Sequence, residues 1–321
     1  MTQSCRPVLS IGLPVCNGAQ YLREAIDSIL SQTWDDFELI ISDNASEDET
    51  ADICAAYAEQ DPRVRLIRQP RNLGAAPNYN LLVDDARGRY FKWAAHDDNL
   101  RPRFLEACID ALEANPQAVL AYPRTDVIDG AGRVIGPFDD GLDLRGETAE
   151  DRLVAYLRRN FMRQRGLCNP IFGVIRTDEL RRTRLIQDFL ASDLILLAHL
   201  SLLGQFAEIP ETLFDRRVHA GISTAAHTSH AARRRWFNAG AKRGHWFSDN
   251  DLALRMVHIR DLFTAISELV PERDARNRCR WALARLLATD PKWLYIDVKY
   301  SLGLRPSWQQ SSQSIARAGA H

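Results

Sequence analysis

Phe37-Glu38-Leu39-Ile40-Ile41-Ser42-Asp43-Asn44-Ala45-Ser46 is the stretch that decides the fold. Residues 37–42 make a short, mostly apolar run, and such a run reads as a strand buried in a sheet. It stops at Asp43. Ser46 with Glu49 then offers a capping box for a helix whose inner face carries Ile53 and Tyr57. Outward in both directions the same alternation recurs. Upstream, residues 8–13 read as a strand ending at Pro14, followed by Leu22, Ile26, Ile29 and Leu30 at helical spacing. Downstream come a strand at 64–67, a helix around 78–86 that stops at Gly88, and a fourth strand at 90–95. Phe104, Leu105, Cys108 and Leu112 mark the next helix. Strands alternating with helices predict an α/β fold with a doubly wound, mostly parallel sheet, its first half Rossmann-like.

Past residue 100 the pattern is mixed. Residues 120–135 read as a hairpin turning at Asp129-Gly130, and 171–175 and 213–218 as added strands, with a helix at 193–203. From Ala231 the chain reads as helical, with Leu252, Met256, Ile259, Phe263, Ile266 and Val270 as one apolar stripe. The expected division is a catalytic domain at 1–228 (a nucleotide-binding half at 1–100 and an acceptor half at 101–228). A helical C-terminal region at 229–305 and a disordered Ser/Gln-rich tail at 306–321 follow.

The 321 residues are 45% hydrophobic and 26% charged, the balance of a globular protein, and a net charge of -1 points to no nucleic-acid partner. The charge is unevenly spread. From Ala231 onward there are 16 Lys and Arg against 8 Asp and Glu, leaving 25 against 34 before it. The six cysteines stand singly, without zinc-site or redox spacing, which favours a reducing compartment. With neither a signal peptide nor an apolar run of membrane-spanning length, the expected location is cytoplasmic.

Ligands of an open parallel sheet bind outside the carboxyl ends of its strands. This chain places Pro14-Val15-Cys16-Asn17, Asp43-Asn44 and Asp97-Asp98-Asn99 there. Three carboxylates around one crevice repel one another unless a cation or a donor satisfies them. A hard divalent cation bridging phosphate oxygens would suit Asp97 and Asp98, and a base or ribose donor would suit Asp43. Taken singly, Asp43 could cap a turn and the Asp97-Asp98 pair could be a solvated turn; their joint placement favours a nucleotide and metal site.

Ser10-Ile11-Gly12-Leu13-Pro14-Val15-Cys16-Asn17, Leu39 to Ser46, Arg71-Asn72-Leu73-Gly74 and Tyr90-Phe91-Lys92-Trp93-Ala94-Ala95-His96-Asp97-Asp98 occur in that order. In these pieces the chain resembles the family 2 glycosyltransferases, inverting enzymes of the GT-A fold. Ser192-Asp193-Leu194, Gly204 to Pro210 and Arg216-Arg217-Val218-His219 extend the resemblance over about two thirds of the chain. It implies a metal-dependent transfer of a sugar from a nucleoside-diphosphate sugar, UDP first, to a hydroxyl of a glycan or lipid-linked acceptor. The nucleotide would meet Pro14, Val15, Asn17, Asp43, Asn72, Gly74, Asn78 and Asp97. Asp43 would accept the base N–H. Mn²⁺ or Mg²⁺ would be held by Asp98, Asp97 and His219, and Asp193 would be the general base. Two positions depart from the family pattern: Ser192 stands where many members have a second acid before the base, and Pro77 where many have Arg.

Three other uses remain open at this point. A dinucleotide-dependent oxidoreductase would also place an acid after strand two, but the first turn has only Gly12 and Gly18, and Pro14 sits where that loop should tighten. A non-catalytic sugar-nucleotide binder or scaffold would keep the fold without turnover. The basic-then-aromatic segments Arg233 to Phe237, Lys242 to Phe247, Lys292 to Tyr295 and Lys299-Tyr300 fit an anionic membrane surface bound through 231–305, making the protein peripheral on the inner face of the plasma membrane. They fit equally a packed helical region or a homodimer contact.

Overall fold

The computed structural model describes residues 6–161, 168–219, 236–237 and 251–289. Nine strands lie in one sheet among these residues: β1 (Leu9–Val15), β2 (Phe37–Asp43), β3 (Val64–Arg68), β4 (Tyr90–Trp93), β5 (Asn99–Leu100), β6 (Ala118–Ile128), β7 (Val134–Phe138), β8 (Val174–Arg176) and β9 (Gln205–Arg217). Their order is β3-β2-β1-β4-β8-β6-β9-β5, with β7 pairing on β6. The first four are parallel, as the alternation predicts. β8 enters antiparallel between β4 and β6, and β6 and β9 are again parallel. Because β1, β2 and β4 all run one way, Val15 and Asp43 pair in register and Ala94 follows at the same end, donating its N–H to Gly12 O. That end is where the site lies.

The helices are α1 (Ala19–Leu30), α2 (Thr50–Gln60), α3 (Ala75–Asp85), α4 (Phe104–Ala114), α5 (Ala149–Tyr156), α6 (Thr177–Arg182), α7 (Ser192–Leu203), α8 (Asp251–Leu269) and α9 (Arg273–Thr289). β1 and β2 are buried along their whole length, so both faces are covered and the strands are mostly apolar, as parallel strands under helices are; the buried Ser10 and Glu38 bond each other (2.7 Å).

Several expectations need correction. The capping box at Ser46 and Glu49 does not form. α2 begins only at Thr50, whose N–H donates to Asp48 Oδ1 (3.0 Å), and Ser46 Oγ accepts from Asn17 N instead (2.9 Å). The strand expected at 171–175 is split into a 3₁₀ turn (Asn169–Phe172) and β8. The strand expected at 213–218 is the end of the thirteen-residue β9. The hairpin at 120–135 forms as β6 and β7. On α8 the buried face is Arg255, His258, Asp261, Leu262, Ala265, Ile266 and Leu269, whereas Met256 of the expected stripe is exposed. α8 and α9 are not set apart: Leu262, Ile266, Cys279 and Leu283 belong to the same hydrophobic cluster as the sheet. Phe237 also packs against that cluster. Residues 233–235, 242–247, 292–300 and 306–321 lie outside the described residues. No helix among the described residues is long and apolar enough to cross a membrane.

Candidate functional site

The crevice at the carboxyl ends of β1, β2 and β4 has two halves. The first is built on Asp43, the last residue of β2, which is 1% exposed. Its Oδ1 accepts the Ser46 N–H (3.0 Å), and Arg68, largely exposed, approaches Oδ2 at 3.9 Å. Asn44, not singled out in the sequence, fixes the floor. Its N–H donates to Val15 O (2.8 Å), its Nδ2 to Asn72 Oδ1 (3.1 Å) and Gly74 O (3.3 Å), and its Oδ1 accepts from Leu73 N (2.8 Å). The turn it holds needs Gly74, whose φ of 90° a side chain would resist. Asn17 bridges to the next loop: its Oδ1 accepts from Glu47 N (2.8 Å) and its N–H donates to Ser46 Oγ. Pro14 and Val15 are buried in β1, and the Val15 carbonyl is already taken by Asn44. Asn78 lies beneath Asp43. Its amide accepts from Ser42 Oγ (2.6 Å) and donates to Ser42 O (3.1 Å), and it is 2% exposed, so it braces β2.

The second half is Asp97-Asp98. Gly18 joins the halves: a Cβ there would lie 2.5 Å from the His96 ring and 2.7 Å from Val15, so only glycine lets the two loops close. Asp98 is 4% exposed; its Oδ1 accepts the Arg217 N–H (2.9 Å) and its Oδ2 pairs with Arg216 (3.1 Å). Asp97 Oδ2 meets His219 Nε2 at 3.0 Å. Burial raises the Asp98 pKa, and the Arg216 charge only partly offsets it. Burial pushes Asp97 the same way, but the His219 hydrogen bond and the neighbouring positive charges outweigh it and hold that carboxyl well below the usual range. The two titrate as a pair in which Asp97 ionises first.

Arg216 and Arg217 are the residues sequence reading passed over, although the motif containing them was noticed for its His. Arg217 is 2% exposed; its Nε donates to Asp97 O (2.8 Å), its Nη1 to Asp129 O (3.3 Å), and its guanidinium lies over the Tyr21 ring (4.7 Å). Tyr21 in turn stacks on His219 at 4.8 Å. One side chain thereby ties the acidic turn, α1 and the β6–β7 turn together. Arg216 rests over Phe172 at 5.0 Å and is electrostatically coupled to Asp98, Asp97, Tyr79 and Cys168.

Asp193 lies within electrostatic reach of the same arginine. It is the second residue of α7, whose N-cap, Ala191, is left-handed (φ 59°) and offers no side-chain cap. Asp193 Oδ1 accepts its own helix's Leu194 N–H (2.9 Å), and the Cys168 thiol donates to the carboxylate. Burial raises its pKa against these bonds. Ser192 is the first residue of the helix; its Oγ is buried and has no hydrogen-bond partner.

The residues expected to hold a cation are therefore contiguous: two carboxylates and an imidazole. Among the described residues no group of three or more His, Cys, Asp and Glu side chains is arranged around a common point for a metal. In donor chemistry the set suits a hard ion, because it offers carboxylate oxygens with one imidazole nitrogen and no thiolate.

The family model described as glycosyl transferase family 2 matches residues 10–189, more than half of the chain. The chain belongs to glycosyl transferase family 2. It is 37% identical over 124 residues to an uncharacterised glycosyltransferase of Rickettsia prowazekii, covering 38% of each chain. It is 31% identical over 125 residues to the glycosyltransferase GlyG of Streptococcus pneumoniae, covering 38% of this chain and 42% of that one. The matched stretch thus spans about two fifths of the length of these relatives. The fold is similar to that of S. aureus TarS 1–349 in complex with UDP-GlcNAc (TM-score 0.60, 15% identity, 94% of this chain and 77% of that one). It is also similar to the mannosyltransferase PcManGT of Pyrobaculum calidifontis in complex with GDP-Man and Mn²⁺ (TM-score 0.51, 16% identity, 99% and 87%). The fold is the GT-A type of mixed α/β sheet, with added C-terminal helices.

Proposed function

We propose that this glycosyltransferase is a divalent-metal-dependent, inverting enzyme that takes its sugar from a nucleoside-diphosphate sugar, UDP first, and passes it to a hydroxyl acceptor in glycan or glycolipid assembly. The observation that carries the reading is the convergence of Asp97, Asp98 and Asp193 on one basic residue, Arg216, with His219 bonded to Asp97, at the end of the sheet where Asp43 also lies.

Asp43 accepts the base N–H with the lone pairs that Ser46 leaves unused. Asn17, Asn72 and Gly74 shape the loops around the base and ribose, and Pro14 and Val15 supply the rigid edge. Asn78 acts from beneath, by holding β2. Asp98, with Asp97 and His219, would hold Mn²⁺ or Mg²⁺, and the ion would supply positive charge against the departing diphosphate. Arg216, paired with Asp98, is a second positive group there. Asp193 receives the acceptor hydroxyl's proton as that oxygen attacks the anomeric carbon from the face opposite the nucleotide. The raised pKa brings this carboxylate closer to the range in which a base is effective at neutral pH.

A panel of UDP-, dTDP- and GDP-sugars with Mn²⁺, followed by release of free nucleotide, tests the reading. Slow hydrolysis of a UDP-sugar is expected. Tight metal-independent binding without hydrolysis or transfer would point to the scaffold reading instead.

A peripheral membrane location has one supporting observation: Trp281 is exposed on α9 with Arg278 and Arg285 on the same face. Flotation with anionic but not neutral vesicles, lost in high salt, is what that location requires.

A further inference from the structure

We propose that helix α8 sets the position of Asp193 by gripping both ends of the 184–191 segment, with His258 fixing the last carbonyl before Ala191. This rests on Asp193 being the base.

The segment departs from easy backbone geometry at both ends. Leu185 (φ 54°) and Ala191 (φ 59°) are both left-handed and neither is glycine, a conformation that persists only where surrounding contacts impose it. α8 supplies those contacts. At the start, Arg184 donates to Glu268 with Nε (2.9 Å) and Nη2 (2.8 Å), and to Asp261 Oδ2 with Nη1 (3.1 Å). At the end, His258 Nε2 donates to Leu190 O (2.8 Å), and its ring lies 5.3 Å from that of Phe189. Asp261 reaches α7 itself through His199, fully buried, at 2.7 Å. From the other side Asn80 of α3 holds Ile186, accepting its N–H (3.0 Å) and donating to its carbonyl (2.8 Å).

Asp193 follows Leu190 by three residues. The two bonds named for its carboxylate come from Leu194 N–H, in its own helix, and the Cys168 thiol; neither anchors α7 from outside the crevice. Tyr156 of α5 holds the Leu194 carbonyl (2.6 Å), and the place of the carboxylate then depends on where the chain enters α7, which is what His258 and the Arg184–Asp261–His199 network fix. A shift of about 1 Å at a reacting group can cost a hundredfold in rate, so the grip acts on turnover and not on donor binding.

The test is a double-mutant cycle read by hydrolysis of UDP-N-acetylglucosamine or GDP-mannose, whichever turns over faster with Mn²⁺. His258→Phe keeps the ring against Phe189 and removes the donor; His258→Gln restores an N–H near the Nε2 position. H258F is expected to lower kcat about tenfold with donor KM unchanged, H258Q to recover most of that loss, and H258F to add nothing to Asp193→Asn. If D193N is inactive while H258F keeps kcat within twofold, the positioning proposal is wrong and the base assignment stands. If D193N itself turns over within a few-fold, the base assignment fails, and the positioning proposal with it. Should H258F not fold, Glu268→Ala on the exposed side of the grip carries the same comparison, with a fall of about threefold expected and no change overturning the proposal.

Discussion

Asp43, Asp98 and Asp193 show what burial does to three carboxylates with different neighbours. Asp43 faces a backbone N–H and a distant arginine, so it keeps unused acceptor capacity for a ligand. Its replacement by Ala should remove one charge-assisted hydrogen bond, about 1.5–3 kcal/mol, and weaken UDP binding by roughly ten- to a hundredfold with or without metal. Calorimetry of the two proteins in EDTA decides it: equal affinity would remove Asp43 from the base-binding role. Asp193 is raised by burial, and only its ionised form can accept a proton. Turnover should therefore fall as pH drops through a value above the ordinary Asp range of about 3.9, and Asp193→Asn should lower turnover by about 10²- to 10⁴-fold and remove that acidic limb from the residual rate. An acidic limb that survives in the variant belongs to another group.

At the scale of elements, Lys92 is the residue whose sequence context gave no warning. It lies in the middle of β4, fully buried, under Phe104 (4.3 Å) and Phe214 (5.6 Å), and donates to Trp93 O and Phe172 O. Burial pushes its amine down to about 7. The folded protein thus binds fewer protons than the unfolded chain between about pH 7 and 10, and stability rises with pH across that window. Lys92→Met should flatten this slope, the two proteins differing by on the order of 2–4 kcal/mol more at one end of the window than at the other. Urea midpoints at several pH values measure it; parallel slopes would mean the amine stays charged in the fold. The strands around Lys92 were legible because parallel strands under helices are mostly apolar, and β1 and β2 keep that pattern apart from Ser10, Glu38 and the polar end of β2. The capping box was not, because Ser46 has two backbone groups to choose from and takes Asn17 of another loop. The stripe on α8 was misread for a related reason: the helix docks through Arg184, His199 and the Leu190 carbonyl, and hydrophobic spacing cannot register a polar face that is buried. In the site, the three acids were visible from their place at strand ends. Arg216 and Arg217 were not, since their bonding to Asp97 and Asp98 depends on β9 pairing between β6 and β5, far from β4 in sequence.

For the whole molecule, the hydrophobic cluster takes in residues on both sides of residue 228. Leu262, Ile266 and Leu283 are fully buried in the cluster that also contains β1 and α7. Leu262→Ala should cost about 2–5 kcal/mol and shift a single cooperative urea transition; a separate early transition confined to the C-terminal helices would show an independent unit. The same connectedness lets α8 bear on the entry to α7 while Asp43 ends β2 and Asp97 follows β4. The claim on which the functional account turns is that Asp98 makes nucleotide binding depend on a divalent ion. Isothermal titration of UDP into the wild type and into Asp98→Ala, each with Mn²⁺ and with EDTA, addresses it directly. In the wild type Mn²⁺ should raise UDP affinity by about tenfold or more, and in a variant that remains folded it should have no effect. An equal gain from Mn²⁺ in both proteins, or none in the wild type, would contradict it.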